Sequence, residues 1–171
     1  MGEHEVDSLS DEGRLRSFTK AVLADVQALE RMLESDVFEK GIRRIGAEQE
    51  MFLVDPAGRP TDTAIEIMKR LDHPSFTHEL ALFNLEANLQ PQEYGGSCLS
   101  RLEKELVSLL GLARAAAIEE GCDIVLTGIL PTLRQSDLSL DSMTPMPRYR
   151  ALNNGMTRLC GGQFRFRMKG I

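Results

Sequence analysis

The chain is poor in the residues that build the commonest metal sites and covalent staples. Its 171 residues include three cysteines, Cys98, Cys122 and Cys160. They are odd in number and widely spaced, which argues against a disulfide framework and for reduced thiols. The three histidines, His4, His73 and His78, show no zinc-ligand spacing, so a histidine-based metal site within this chain is not expected. Long apolar runs are missing too. None approaches the ~20 residues that a membrane-spanning helix needs, and no membrane partner is expected. The opening residues, Met1-Gly2-Glu3-His4-Glu5-Val6-Asp7, contain no apolar signal-peptide core, so the expected location is cytoplasmic. Basic charge is in deficit. The 20 Lys and Arg stand against 26 Asp and Glu, a net charge of −6. That balance argues against nucleic acid as a partner, because such binding needs a basic footprint.

What is present is ordinary for a globular domain: 42% hydrophobic and 27% charged residues, on a chain long enough for a substantial core. Residues 1–11 are polar and read as a flexible N-terminus. From Glu12 to Ser35, the apolar residues Leu15, Phe18, Val22, Val26, Leu29 and Leu33 recur at three and four. This spacing predicts an amphipathic helix that lays one stripe on the core. Thr63 and Glu66 form a capping-box pattern for a short helix ending near Leu71. Ser97 or Ser100 opens a longer helix that stops at Gly121. Cys122 to Gly128 reads as a buried strand. A long loop follows, and Arg148 to Asn154 reads as a helix stopped by Gly155. Gln163 to Lys169 alternates Phe164, Phe166 and Met168 with Arg165, Arg167 and Lys169, as an edge strand with a basic face would.

Two segments carry the chemistry. Ile45-Gly46-Ala47-Glu48-Gln49-Glu50-Met51-Phe52-Leu53-Val54 reads as a strand ended by the turn Asp55-Pro56-Ala57-Gly58. Glu48 and Glu50 are two apart, so they share one face at roughly 6.5 Å. They repel by about 2–3 kcal/mol at an effective dielectric near 20. A solvated acidic face and a cation site both fit that pair. The second segment runs from Thr77 to Gln90 and alternates with period two. Ala81, Phe83, Leu85, Ala87 and Leu89 form an apolar face, and Asn84, Glu86, Asn88 and Gln90 a polar one. If the two strands pair, Glu48, Glu50 and Glu86 meet on one surface with Asn88 beside them. Oxygen ligands of that kind suit Mg²⁺ or Mn²⁺, which leave sites for water and phosphate. Glu79 is seven residues from Glu86 and so falls on the opposite face of a continuous strand.

The pattern as a whole is α+β: helices interspersed with amphipathic strands, which favour an antiparallel sheet with one functional face.

These residues resemble the glutamate–cysteine ligase family 2, carboxylate–amine ligases built on a glutamine-synthetase-like catalytic fold. The first mark is Gly46-Ala47-Glu48-Gln49-Glu50 followed by Met51-Phe52-Leu53-Val54. The second is Glu79-Leu80 before Glu86. The third is Gly128-Ile129-Leu130-Pro131 followed by Arg148-Tyr149. Order and spacing agree from about Ile42 to Asn154. The resemblance implies a mostly antiparallel curved sheet with helices packed on one face, holding ATP and a divalent metal on its concave side. It implies Glu48, Glu50 and Glu86 as metal ligands, with Arg148 placed near substrate. It also implies a reaction in which a glutamate carboxylate is phosphorylated by ATP and an amine, such as that of cysteine, displaces the phosphate. This chain has Ile129-Leu130 where the family commonly has Thr-His, and an apolar pair cannot donate the same hydrogen bonds. Nothing here matches the family's later His-containing metal motif. Residues 12–171 are therefore expected to form the N-terminal part of a single catalytic domain, incomplete at its C-terminus. A non-catalytic relic serving binding or assembly is the alternative.

Overall fold

A short strand rich in Met, Phe, Leu and Val lies inside a four-stranded sheet, and its two faces meet different surroundings. The computed structural model describes residues 12–161. The elements are α1 (Glu12–Glu34), β1 (Arg44–Ile45), β2 (Glu48–Val54), α2 (Ala64–Leu71), β3 (Phe76–His78), β4 (Asn84–Asn88), β5 (Gln92–Glu93), α3 (Cys98–Glu119), β6 (Asp123–Val125) and α4 (Pro147–Leu159). Two 3₁₀ turns, Gln135–Leu138 and Leu140–Ser142, lie in the loop before α4. The chain divides into two compact units. One is Ile42–Thr144, and the other combines Met1–Gly41 with Pro145–Ile171.

In the unit Ile42–Thr144 the main sheet has the order β3-β4-β2-β6, with every pair antiparallel. β1 and β5 form a separate antiparallel pair. One face of the main sheet presents Met51, Leu53, Phe76, Leu85, Ala87 and Ile124. Against it lie Ala64 and Ile67 of α2 and Leu102, Leu109, Ala113, Ala116 and Ala117 of α3. Met51, Leu53, Ile67 and Leu85 are fully buried. Removing each such side chain from water contributes roughly 1.5–3 kcal/mol. Arg70 of α2 ties the two helices together by pairing with Glu119 (2.8 Å) and Glu120 of α3. Expectation and structure agree here: an α+β unit with an antiparallel sheet and helices on one face.

Turn chemistry explains how β2 ends. Asp55 Oδ1 accepts from the N–H groups of Ala57 and Arg59, both at 2.9 Å, and Gly58 takes φ +74°. α3 ends as its sequence implies, with Gly121 at φ +74° just past the last turn.

Several expectations are corrected. The alternating run 77–90 is two strands, β3 and β4, that pair with each other across a turn in which Asn84 N–H donates to Ala81 O at 3.0 Å. Phe83 therefore leaves the Leu85 face and joins Phe52, Val54 and Leu130 on the other side of the sheet. Thr63 precedes α2 but makes no side-chain cap; its hydroxyl lies 3.5 Å from Cys122 Sγ instead. Ser97 likewise gives no cap, its Oγ accepting from Arg101 at 2.9 Å. β6 is only Asp123–Val125, shorter than the run 122–128.

In the other unit, α4 runs through Gly155 to Leu159. An internal glycine costs only about 1 kcal/mol and does not by itself end a helix. The left-handed position falls at Gly161, φ +67°. α1 forms where expected, but no α1 residue is buried among the described residues, so the stripe laid on the core is not seen. The strand expected at 163–169 lies outside the described residues.

Candidate functional site

The second face of the main sheet is split along its length. Register places Glu50 of β2 directly opposite Glu86 of β4, Glu48 opposite Asn88, and Phe52 opposite Asn84. Thr77 of β3 stands opposite Glu86 on its other side. Directly opposed side chains in an antiparallel pair are roughly 4.5–5.5 Å apart at Cβ. The three carboxylates read from the sequence thus share one face of two paired strands, as their parity requires. Past them, the same face becomes apolar, with Phe52 and Phe83 stacked at 6.3 Å between ring centroids and Val54 and Leu130 buried beside them.

A fourth carboxylate joins the group. Glu79 follows β3, which runs antiparallel to β4, so the parity of a single continuous strand does not apply to it. Its carboxyl shares a hydrogen bond with Glu86 and feels the charges of Glu86 and Glu50. Burial above all pushes the Glu79 carboxyl above the usual carboxylate range. The bond to Glu86 and the neighbouring negative charges push the same way, against the Leu80 N–H that Glu79 Oε2 accepts at 3.2 Å. Glu86 moves the other way. Burial works to raise it, but hydrogen bonds from Asn88, Glu79 and Thr77 outweigh burial and lower it. Glu86 Oε1 accepts from Asn88 Nδ2 at 2.6 Å and from Thr77 Oγ1 at 3.0 Å, and Asn88 Nδ2 also reaches Thr77 Oγ1 at 3.2 Å. The two carboxyls are thus shifted in opposite directions, Glu79 up and Glu86 down. The turn that brings Glu79 here, around Ala81 to Asn84, contains no Gly or Pro, so the sequence carried little sign of it.

Where the β2–β6 ladder ends at Phe52 and Val125, the chain beyond β6 diverges from β2. An open cleft of about 530 Å³ lies there, lined by Glu48, Gln49, Glu50, Leu126, Thr127 and Gly128. The first and third sequence marks therefore meet: the acidic strand forms one wall and the start of the Gly128–Pro131 loop the other. Ile129 of that loop is 78% exposed and Leu130 is buried in the apolar half of the face. The lining residues include no Lys or Arg.

A divalent cation is the group such a face suggests, and its residues can be tested for fit. The donors are the right kind: oxygen ligands, two of them directly opposed. None of the ion pairs among the described residues involves Glu48, Glu50, Glu79 or Glu86. Among the described residues, no group of three or more His, Cys, Asp or Glu side chains is placed to hold a metal ion. An all-protein cage is thus not formed, which suits Mg²⁺, bound through one or two carboxylates with water and phosphate completing the shell. Glu48 and Glu50 are exposed, so water screens their repulsion below the dielectric-20 figure. Arg148 lies in the other unit, on the first turn of α4, with its guanidinium 4.9 Å over the ring of Tyr149.

An antiparallel sheet with helices on one face and opposed carboxylates on the other defines an α+β domain with an acidic, oxygen-donor cleft. The model of the glutamate–cysteine ligase family 2 matches residues 44–164, and the chain belongs to this family, which is of the carboxylate–amine ligase kind. Neither curated proteins nor solved structures give a match. Among the described residues, no helix is long and apolar enough to cross a membrane.

Proposed function

We propose that this chain forms the metal-binding wall of an ATP-dependent carboxylate–amine ligase that acts on glutamate or a close analogue and an amine such as that of cysteine. The observation that carries the reading is the direct opposition of Glu50 and Glu86 at the edge of an open cleft. Like charges placed opposite each other destabilise a sheet unless something binds them. Of the carboxylates Glu48, Glu50 and Glu86, one or two would hold Mg²⁺ or Mn²⁺, the opposed pair Glu50 and Glu86 first, with water and phosphate completing the shell. The cation would supply charge neutralisation for the triphosphate. Asn88 and Thr77 fix the Glu86 carboxylate through their hydrogen bonds. Asn88 and Arg148 are the proposed contacts to substrate. In the reaction, a carboxylate oxygen of the acid attacks the γ-phosphorus of ATP and ADP leaves. The amine then attacks the acyl carbon, phosphate leaves with the bonding pair, and the amine loses a proton.

A binding or assembly module without catalysis is the second reading. It is favoured by the cleft lining, which offers no cation for a triphosphate. One set of measurements separates the two. A thermal melt with millimolar Mn²⁺ should raise the wild-type midpoint and leave Glu50→Gln unmoved. A cation bound only to the folded state stabilises by RT ln(1 + [L]/Kd), about 2.7 kcal/mol at 100 times Kd. Phosphate release from ATP with glutamate and cysteine then supports the ligase reading, whereas its absence fits both a module and a catalytic domain that needs further residues. Equal metal shifts in wild type and Glu50→Gln would remove the metal site.

A further inference from the structure

Helix α1 carries an apolar stripe that nothing among the described residues covers. Leu15, Phe18, Val22, Val26, Leu29 and Leu33 recur at three and four, and at about 3.6 residues per turn they line up along one side of the helix. Each is between 42 and 63% exposed, and no α1 residue is buried. A long amphipathic helix draws most of its stability from packing that face rather than from propensity. The charges beside the stripe show what kind of surface would fit it.

Those charges divide along the helix. The first half carries Arg14, Arg16 and Lys20 against Glu12, and the second carries Asp25, Glu30 and Glu34 against Arg31. Arg16 meets Glu12 at 3.6 Å, but these side chains are 84 and 89% exposed, so the pair contributes little and does not commit Arg16. A helix with one basic and one acidic end complements itself only when two copies run in opposite directions. The stripe has the same symmetry. Leu15 and Leu33 are equally far from Ala24, and so are Val22 and Val26. An antiparallel pair centred there sets Leu15 against Leu33 of the other copy and Val22 against Val26. Arg16, Glu30 and Glu34 fall on one flank of the stripe, so Arg16 of each copy comes between Glu30 and Glu34 of the other. An anionic membrane surface would want a basic polar face throughout, and the second half of α1 is acidic.

We propose that α1 is a self-association surface, pairing antiparallel with α1 of a second copy of this chain. One cost is built in: the two copies of Asp25 come close together at the centre of the pair.

The test is sedimentation equilibrium of the 171-residue chain, with circular dichroism on each variant. Wild type should dimerise reversibly with concentration. Val26→Glu should weaken the dimer by about 10-fold or more, because pairing would bury an unpaired carboxylate. If that variant loses helix, Val26→Ala replaces it, keeping helix propensity and removing most of the apolar side chain. Arg16→Glu should weaken the dimer severalfold, and adding Glu30→Arg and Glu34→Arg to it should restore the affinity, since these residues meet only in the antiparallel order. Asp25→Asn should tighten the dimer. A chain that stays monomeric at millimolar concentration overturns the proposal. So does a dimer indifferent to both Val26 variants, whose interface would lie elsewhere. A triple variant no tighter than Arg16→Glu, or an Asp25→Asn dimer weaker than wild type, overturns the antiparallel pairing. A monomer that cosediments with vesicles of phosphatidylcholine and phosphatidylserine would assign the stripe to a membrane surface instead.

Discussion

The two halves of one sheet face make the most instructive comparison in this molecule. Glu48 and Glu50 share their strand and face with Phe52 and Val54, at the same period of two. In one half, Phe52, Val54, Phe83 and Leu130 bury one another. In the other, Glu50 faces Glu86 across the ladder and the surface opens into a cleft. The backbone is indifferent to the change. The apolar half stabilises the fold, whereas the acidic half sets like charges opposite each other and works against it. Sites of binding commonly carry such a local conflict between stability and use.

The comparison can be broken from either side. The largest effect is expected in the apolar half. Phe83→Ala, which removes a ring 4% exposed and stacked on Phe52, should cost about 3–5 kcal/mol in urea unfolding. A loss under ~1 kcal/mol would mean that this half is not a core at all.

The acidic half should respond with the opposite sign. The Glu79 carboxyl sits above the usual carboxylate range in the fold, chiefly through burial. Its contribution to stability is fully present below the unfolded value and is lost as pH rises through the raised one. Without metal, Glu79→Gln should therefore be more stable than wild type at pH 7, by up to ~1 kcal/mol or about 2–4 °C in Tm. The gap should narrow as pH falls below the ordinary glutamate pKa of ~4.3. A gap that stays constant with pH, or a less stable variant at pH 7, would show that Glu79 is not in conflict with its neighbours. Glu86 carries the reverse dependence. Its lowered value adds stability above the unfolded pKa, and that stability is lost as pH falls through the folded one.

The smallest effect belongs to Glu48. It is exposed and faces Asn88 rather than a carboxylate. Glu48→Gln should change metal-free stability by less than ~0.5 kcal/mol, as surface substitutions usually do. A gain as large as that of Glu79→Gln would place Glu48 inside the coupled group.

Much of this was legible before any coordinates. Period two made Glu48 and Glu50 share a face, and the register then brought Glu86 to it, because side-chain parity is a local property of extended backbone. Helices α1 and α3 declared themselves by apolar spacing at three and four, Gly121 marked the end of α3, and α2 was expected from a capping-box pattern at Thr63 that the structure does not form. Motif order was enough to suggest the family that the match over residues 44–164 establishes.

Other features were decided only by tertiary structure. The turn at Ala81 to Asn84 has no glycine or proline to announce it, so one apparent strand became two and Phe83 and Glu79 changed sides. Thr63 looked like a helix cap, but its hydroxyl meets Cys122, 59 residues away. Thr144 carried no signal in the sequence, since a threonine between Met143 and Pro145 reads as loop. Its hydroxyl donates to the Glu79 carbonyl across 65 residues. Local pattern fixes which way a side chain points within its own element. Which elements meet, and so which carboxylates come together, depends on long-range pairing that no local pattern encodes.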